Sequence, residues 1–501
     1  VGPPPYLLTV DLGTSVVKAT LFSLGAPLPE AVAQGASEYP TDYPAPGWAE
    51  QDPEAWWGAA LAAAGQLPED LRRRVAGVGL SSHRGGIVPV DGALQPLSRC
   101  IIWMDRRSRS ELEAMVEALG RERVHRVTGL VPDTEFSASK ILWLRRHAPD
   151  VFRAARVYLQ PRDYLYLRLT GSPATDYTLA SRTMLLDIAR RTWWEDGCGY
   201  VGVSPAAFPP VYSSTAAPHG VRPEAARALG IPSGVPVALG AGDRPCEVLG
   251  SGAGDGRVMV STGTTTNVSA ASRGIPDALD PRVMCSLHAL EGRYVVEQGL
   301  SASGSILRWV RDTLQDGRVG YRELDQLASA VPAGSEGLVF LPFMMGARAT
   351  RWDPHARGVW YGLTEAHGLG ALVRSIMEGV AYEVRACLDL LEGMGLPQHE
   401  VVAVGGGARS RVWSQILADV AGRPVVVPRE TDAASLGAAL LAAAALGHLQ
   451  DPEREARRGN PAALVCSPDP AAGARYGVLR DLYDRLYEAL RPVFAELAGE
   501  G

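Results

Sequence analysis

Apolar residues in this chain gather in short runs that stop at glycine and hydroxyl residues, and the first run sets the pattern. Tyr6 to Asp11 reads as a strand, Gly13-Thr14-Ser15 turns it tightly, and Ala19 to Phe22 reads as the returning strand. This predicts a β-hairpin rather than the strand-to-helix geometry of a P-loop. In the second half, Val258 to Val260 leads through Ser261-Thr262-Gly263-Thr264-Thr265 into Thr266-Asn267-Val268, which repeats the first design.

The intervening pattern predicts alternating strands and helices. Asp52-Pro53 forms an N-cap and first-turn proline for a helix through Trp56, Trp57 and Leu61. Val75 to Leu80 is a short buried strand that ends in the loop Ser81-Ser82-His83-Arg84-Gly85-Gly86, and a strand from Arg99 to Trp103 leads into Met104-Asp105-Arg106-Arg107. Ligands of open α/β sheets sit in such strand-end loops. The helix around Lys140 shows Ile141, Trp143 and Leu144 as a core face, and a strand from Val235 to Gly240 delivers Ala241-Gly242-Asp243-Arg244. Gly250, Gly252, Gly254 and Gly256 read as a flexible run, which places the domain boundary so that residues 1–248 and 249–501 form two domains. Beyond it, Ser301 to Ser305 opens a helix, Leu338 to Phe340 is a strand and Leu369 to Gly393 a long helix. A strand from Val401 to Val404 ends in Gly405-Gly406-Gly407-Ala408, Leu436 to Gly447 is a buried helix, and Leu479 to Phe494 lies on an amphipathic last helix.

Composition narrows the class without naming the chemistry. The 501 residues suffice for two or more domains, and 46% hydrophobic with 21% charged residues is ordinary for an α/β enzyme. A formal charge of -6 offers no basic field to nucleic acid or an anionic membrane, so neither is expected as a partner. Six scattered cysteines without a CxxC pair point to reduced thiols, no basic leader is read at the N-terminus, and the Ala-rich run is too short to span a bilayer. The expected location is cytoplasmic.

Candidate chemistry changes the picture more. Gly/Thr turns converge hydroxyls and backbone N–H groups, as phosphates require. Lys18 stands at the first turn and is one of only two lysines among 49 lysines and arginines. Asp11 and Asp243 can each hold Mg²⁺ directly or through water, and either carboxylate can accept a proton. The triple glycine at a strand-to-helix junction fits an adenosine pocket. No Gly-Lys dipeptide, HExxH, strict GxGxxG or GxSxG occurs, which removes the Walker, zinc-protease, dinucleotide and hydrolase readings. Taken singly, Asp243 is a turn aspartate, His83 and Trp103 core residues, and Arg84 and Glu135 surface charges. Their joint order carries the argument.

The paired hairpins resemble the actin-like ATPase superfamily, and the whole order resembles the FGGY family of carbohydrate kinases. Ser137-Ala138-Ser139-Lys140-Ile141-Leu142-Trp143-Leu144 matches the first family pattern, with Glu135 departing from it, and Gly358-Val359-Trp360-Tyr361-Gly362-Leu363 followed by Val373 to Glu378 matches the second, with Ala371 departing. The resemblance implies two duplicated actin-like (ribonuclease H-like) α/β domains flanking a nucleotide and sugar cleft. It implies Asp243 as general base and Asp11 as a residue that helps bind Mg²⁺. Gly13, Thr14, Ser15, Lys18, Thr262, Gly263, Thr264 and Thr265 would face the phosphates of ATP, and Gly304, Gly405, Gly406, Gly407 and Ala408 the rest of the nucleotide. Arg84 is similar to glycerol kinases, whereas Gly407-Ala408-Arg409-Ser410 with Trp413 is similar to xylulokinases. The expected acceptor pocket therefore comprises His83, Arg84, Trp103, Asp105, Glu135, Asp243 and Arg244. The implied activity is ATP-dependent phosphorylation of a ketopentose such as xylulose, with a polyol kinase and a non-catalytic nucleotide switch as alternatives, and the family implies a homodimer.

Overall fold

A computed structural model describes residues 5–25 and 28–499. In the first half the strands are β1 (Tyr6–Leu12), β2 (Val16–Ser23), β3 (Glu30–Glu38), β4 (Val75–Ser82), β5 (His219–Gly220) and β6 (Pro236–Gly242). They form one sheet in the order β5-β6-β4-β1-β2-β3, with β1–β2–β3 an antiparallel meander and β1, β4 and β6 parallel. Helix α1 (Pro53–Gly65) starts where Asp52 accepts the Glu54 N–H, with proline in its first turn. It buries Trp56 against Leu8, Val10 and Leu80 of the sheet. Helix α2 (Ser137–His147) carries Lys140. The strand expected from Arg99 to Trp103 shrinks to Cys100–Ile101.

Helix α3 (Asp243–Gly250) leaves β6 and leads into the second sheet. That sheet contains β7 (Gly256–Thr262), β8 (Thr266–Ser272), β9 (Met284–Leu287), β10 (Tyr294–Leu300), β11 (Gln398–Val404), β12 (Val425–Pro428) and β13 (Ala462–Cys466). Its order, β9-β10-β8-β7-β11-β12-β13, repeats the first plan: an antiparallel meander β7–β8–β10, then β11 and β12 parallel to β7, then an antiparallel edge strand. Helices α4 (Gly304–Trp309), α5 (Leu369–Gly393), α6 (Arg411–Ala421), α7 (Ala433–Ala445) and α8 (Pro470–Gly499) are among those of this half. The second core joins Val258, Val268, Val296, Ile376 and Val401.

One element crosses between the halves. Helix α7 lies between β12 and β13 of the second sheet in sequence but packs on β1, β4 and β6 of the first and on α3. Small residues let it come close: a Cβ on Gly79 would lie 2.5 Å from the Ala438 carbonyl oxygen, and one on Gly250 would lie 2.0 Å from that of Ala433. The glycine run expected to be flexible is therefore largely buried, and its first member sits in a helix crossing. Absence of side chains serves close approach here rather than flexibility. All six cysteines are buried free thiols, and no helix among the described residues is long and apolar enough to cross a membrane.

Candidate active site

Each sheet carries one hairpin turn of the same plan, between β1 and β2 in the first and between β7 and β8 in the second. In the first, Asp11 pairs with Lys18 and Leu12 with Val17, and the Gly13 N–H donates to the Val16 carbonyl at 3.0 Å. Thr14 and Ser15 remain partly or fully exposed at the tip. Three side chains brace this turn: the Tyr39 hydroxyl donates to the Gly13 carbonyl, Gln51 Nε2 to the Thr14 carbonyl at 2.7 Å, and Trp103 Nε1 to Thr14 Oγ1 at 3.1 Å. Trp103, expected in the acceptor pocket, is thus tied to the first turn.

In the second hairpin Thr262 pairs with Thr266, and the Gly263 N–H donates to the Thr265 carbonyl at 2.8 Å. Glycine loops close around it. The Gly304 N–H reaches the Gly263 carbonyl at 3.0 Å, where a Cβ on Gly304 would lie 2.3 Å from the same oxygen. Gly405, with φ at +79°, would bring a Cβ to 2.7 Å from the Thr262 carbonyl, and a Cβ on Gly407 would press on the Thr262 side chain at 2.5 Å. A Cβ on Gly406 would meet open space, and Ala408 is buried beneath the loop. Arg308, which the sequence reading missed, donates to Thr264 Oγ1 at 2.9 Å and sets an exposed cation beside this turn.

Carboxylates gather under the first turn. Lys18 Nζ lies 3.1 Å from Asp432 Oδ2, and Gln34 and Ser435 donate to that same oxygen. Burial, then the charge of Asp432, pushes the Asp11 carboxyl up to about 7, against the pull of Lys18. Lys18 is held above its ordinary value: burial opposes the charge, and Asp432 and Asp11 outweigh burial. Asp11 Oδ1 is buried without a hydrogen-bond partner. These features fit a divalent cation, which would relieve the repulsion and take the orphaned oxygen. No three His, Cys, Asp or Glu side chains form a metal cage among the described residues. Mg²⁺ keeps waters and binds through one or two carboxylates and substrate phosphates, a part open to Asp11.

Where the acceptor residues are expected, six charged side chains alternate in sign. Arg84 Nε lies 3.0 Å from Asp243 Oδ1, and the Arg84 fork meets both oxygens of Glu297 at 3.3 Å. Arg182 Nη1 meets Glu297 Oε1 at 2.8 Å and its Nη2 meets Glu135 Oε1 at 2.5 Å, while Arg348 Nη2 meets Glu135 Oε2 at 2.9 Å. Asp243, Arg84, Arg182 and Glu135 come from the first half, Glu297 and Arg348 from the second. Burial alone would raise the Asp243 carboxyl, but Arg84, Arg244 and the Arg244 backbone N–H hold it below the usual range. Glu135 is brought down to about 2, burial being outweighed by Arg348 and Arg182. Glu297 is a lone acid in the apolar strand Tyr294–Leu300, a signal that could have marked it; Arg182, Arg348 and Asp432 carry no such local mark.

The remaining expected residues divide. His83 is 1% exposed, stands edge-on to Trp56, and has no partner for either ring nitrogen. Burial pushes its imidazole down to about 4, so it is neutral, with one donor and one acceptor for a hydroxyl or water. Arg244 turns to Glu247. Asp105 is a correction. It is 0% exposed, Oδ2 accepts the Ala49 N–H at 2.6 Å, and Arg107 binds both oxygens while lying over the Trp48 ring. An acid so enclosed holds the loop together and has no oxygen free for an acceptor.

Comparison with known proteins gives these features a context. Residues 6–250 match the model of the FGGY family of carbohydrate kinases, N-terminal domain, and residues 258–446 that of its C-terminal domain. The chain is 32% identical to a xylulose kinase of Klebsiella pneumoniae over 97% of this chain and 99% of that one. It is 31% identical to a gluconokinase of Bacillus subtilis over 89% and 88%. The crystal structure of a gluconate kinase from Lactobacillus acidophilus superposes with a TM-score of 0.91 at 26% identity, covering 98% of this chain and 99% of that one.

Proposed function

Because the chain belongs to the FGGY family of carbohydrate kinases, and so to the ATP-dependent phosphotransferases acting on small sugars or polyols, we propose that its acceptor is a neutral ketopentose such as xylulose. The observation that carries this is the pairing of charge at the acceptor end. Arg84 is matched by Asp243 and Glu297, Arg182 by Glu297 and Glu135, Arg348 by Glu135, and Arg244 by Glu247. No guanidinium of this set awaits a carboxylate from the substrate, whereas the oxygens and N–H groups that remain suit hydroxyls. The similarity to xylulose kinases over nearly the whole chain supports the same reading.

Asp243 would take the proton of the reacting hydroxyl. Its depressed carboxyl is ionised at neutral pH, and Arg84 fixes one oxygen, leaving the other to accept. Phosphoryl transfer asks chiefly for positioning and charge neutralisation, and the hydroxyl grows acidic as its bond to phosphorus forms, so a weakly basic carboxylate suffices. His83 would donate to or accept from a second hydroxyl, offsetting the about 1–3 kcal/mol that an orphaned buried polar group costs. The N–H groups and hydroxyls of Thr14, Ser15, Thr264 and Thr265 would hold phosphate oxygens, with Arg308 beside them. Asp11 would hold Mg²⁺, which when bound neutralises charge on the phosphates, and Asp243 would meet it only through water, so that its loss spares Mg-ATP binding. Gly304 and Gly405 to Ala408 would border the nucleoside.

The likeness to gluconate kinases favours the rival reading of a sugar acid. ADP release with Mg-ATP and D-xylulose, xylitol, glycerol or D-gluconate separates them. D-xylulose is expected to give a kcat/KM at least about tenfold above the others, a gap of about 1.4 kcal/mol. A preference for gluconate would overturn the neutral-acceptor reading. ATP hydrolysis indifferent to every acceptor would favour a nucleotide switch.

A further inference from the structure

Lys140 is the second of the two lysines in a chain that otherwise uses arginine for positive charge. It lies in the first turn of α2 and is 0% exposed. Among the described residues no carboxylate lies within ion-pair distance of it. Instead Nζ meets four backbone carbonyl oxygens: Thr134 at 2.7 Å, Glu135 at 2.8 Å, Gly85 at 3.1 Å and Phe136 at 3.2 Å. Three N–H donors facing four carbonyls are the surroundings of a monovalent cation, not of an ion pair.

The position is electrostatically adverse. Burial opposes the charge, and the first turn of a helix repels cations. Arginine cannot take the place, because its planar fork has no compact point charge to put at the centre of four carbonyls. An apolar side chain would avoid both costs but would leave the carbonyls without a shared partner. The residue kept here is therefore the one whose ammonium the carbonyls need.

What the four carbonyls join gives the position a purpose. Gly85 follows Arg84 in the loop after β4, and Thr134, Glu135 and Phe136 form the loop entering α2. The loops touch so closely that a Cβ on Gly85, where φ is +80°, would lie 2.2 Å from the Glu135 carbonyl oxygen. From one loop Arg84 reaches Asp243, and from the other Glu135 reaches Arg182 and Arg348. We propose that Lys140 is a positioning residue whose ammonium acts as a built-in monovalent cation, clamping the Arg84 loop to the Glu135 loop and so setting the shape of the acceptor pocket. This rests on the reading of that pocket as the acceptor site.

Cutting Lys140 back to alanine leaves a cage that a free ammonium ion fits, whereas Lys140→Met fills it with an uncharged chain. Steady-state kinetics with D-xylulose and ATP in sodium, potassium or ammonium chloride at equal ionic strength test the proposal, with Arg84→Gln measured alongside. Both Lys140 variants are expected to raise the D-xylulose KM about tenfold or more in sodium chloride while the ATP KM stays within about twofold, a change of about 1.4 kcal/mol in acceptor binding. Ammonium should recover much of the loss in Lys140→Ala and none in Lys140→Met. If Lys140→Ala cannot be purified folded, the Lys140→Met acceptor KM decides alone. An unchanged acceptor KM in Lys140→Met beside a raised one in Arg84→Gln would overturn the clamp and leave the pocket standing. An unchanged value in both would remove the pocket reading and the clamp with it.

Discussion

The two hairpins proposed to hold phosphates are built on the same strand plan and surrounded by opposite materials. The first, between β1 and β2, stands over carboxylates: Asp11 beneath it, Asp432 paired with Lys18, and Asp243 on the adjoining helix. The second, between β7 and β8, is enclosed by Gly304, Gly405 and Gly407, whose missing side chains let backbone press on backbone. The difference teaches a division of labour. The first turn is equipped for charge, metal and proton, and the second for shape. The proposed acceptor pocket draws Arg84 and Glu135 from the first half and Glu297 and Arg348 from the second, with Met284 of the second half also against Arg182.

Substitutions that remove charge on one side and space on the other break this comparison most sharply. Asp243→Asn should lower kcat about 10²- to 10⁴-fold, the usual loss on removing a general base, with the ATP KM little changed. Gly304→Ala should act the other way. Its Cβ meets the Gly263 carbonyl, so the turn must shift, costing about 1–3 kcal/mol and raising the ATP KM while the acceptor KM holds. A reversed pattern in either variant, read from steady-state kinetics, would collapse the distinction.

A smaller effect sharpens the charged side. In the wild type Arg84, Arg244 and the Arg244 backbone N–H together outweigh burial and keep the Asp243 carboxyl low. Arg84→Gln leaves burial unopposed by that cation, so the carboxyl rises and stays protonated to higher pH. The acid limb of kcat/KM should then move to higher pH, while the loss at alkaline pH is smaller. A pH profile whose acid limb does not move would separate Arg84 from the base.

Features of local pattern were legible in the sequence, and features of long-range pairing were not. The Gly/Thr turns, the Asp52-Pro53 helix start and the helix Leu369–Gly393 follow from neighbouring residues and appear as expected. Glu297 and Arg84 are separated by 213 positions, and Lys18 and Asp432 by 414, so nothing nearby announces either pair. Asp105 misled because an acid at a strand end looks available, and Arg107, only two residues on, closes over it. Gly250 misled because composition does not distinguish a hinge from a helix crossing. The helix of Lys140 read as an apolar face because its four partners are carbonyls, which leave no trace in a side-chain pattern.

The division of labour is tested most directly by calorimetric titration of Mg-ATP into wild type, Asp243→Asn and Gly304→Ala without acceptor. The account predicts that Asp243→Asn binds ATP within about threefold of wild type, a change under about 1 kcal/mol, and that Gly304→Ala binds about tenfold or more weakly. Equal affinity in both variants, or weaker binding in Asp243→Asn than in Gly304→Ala, would contradict it.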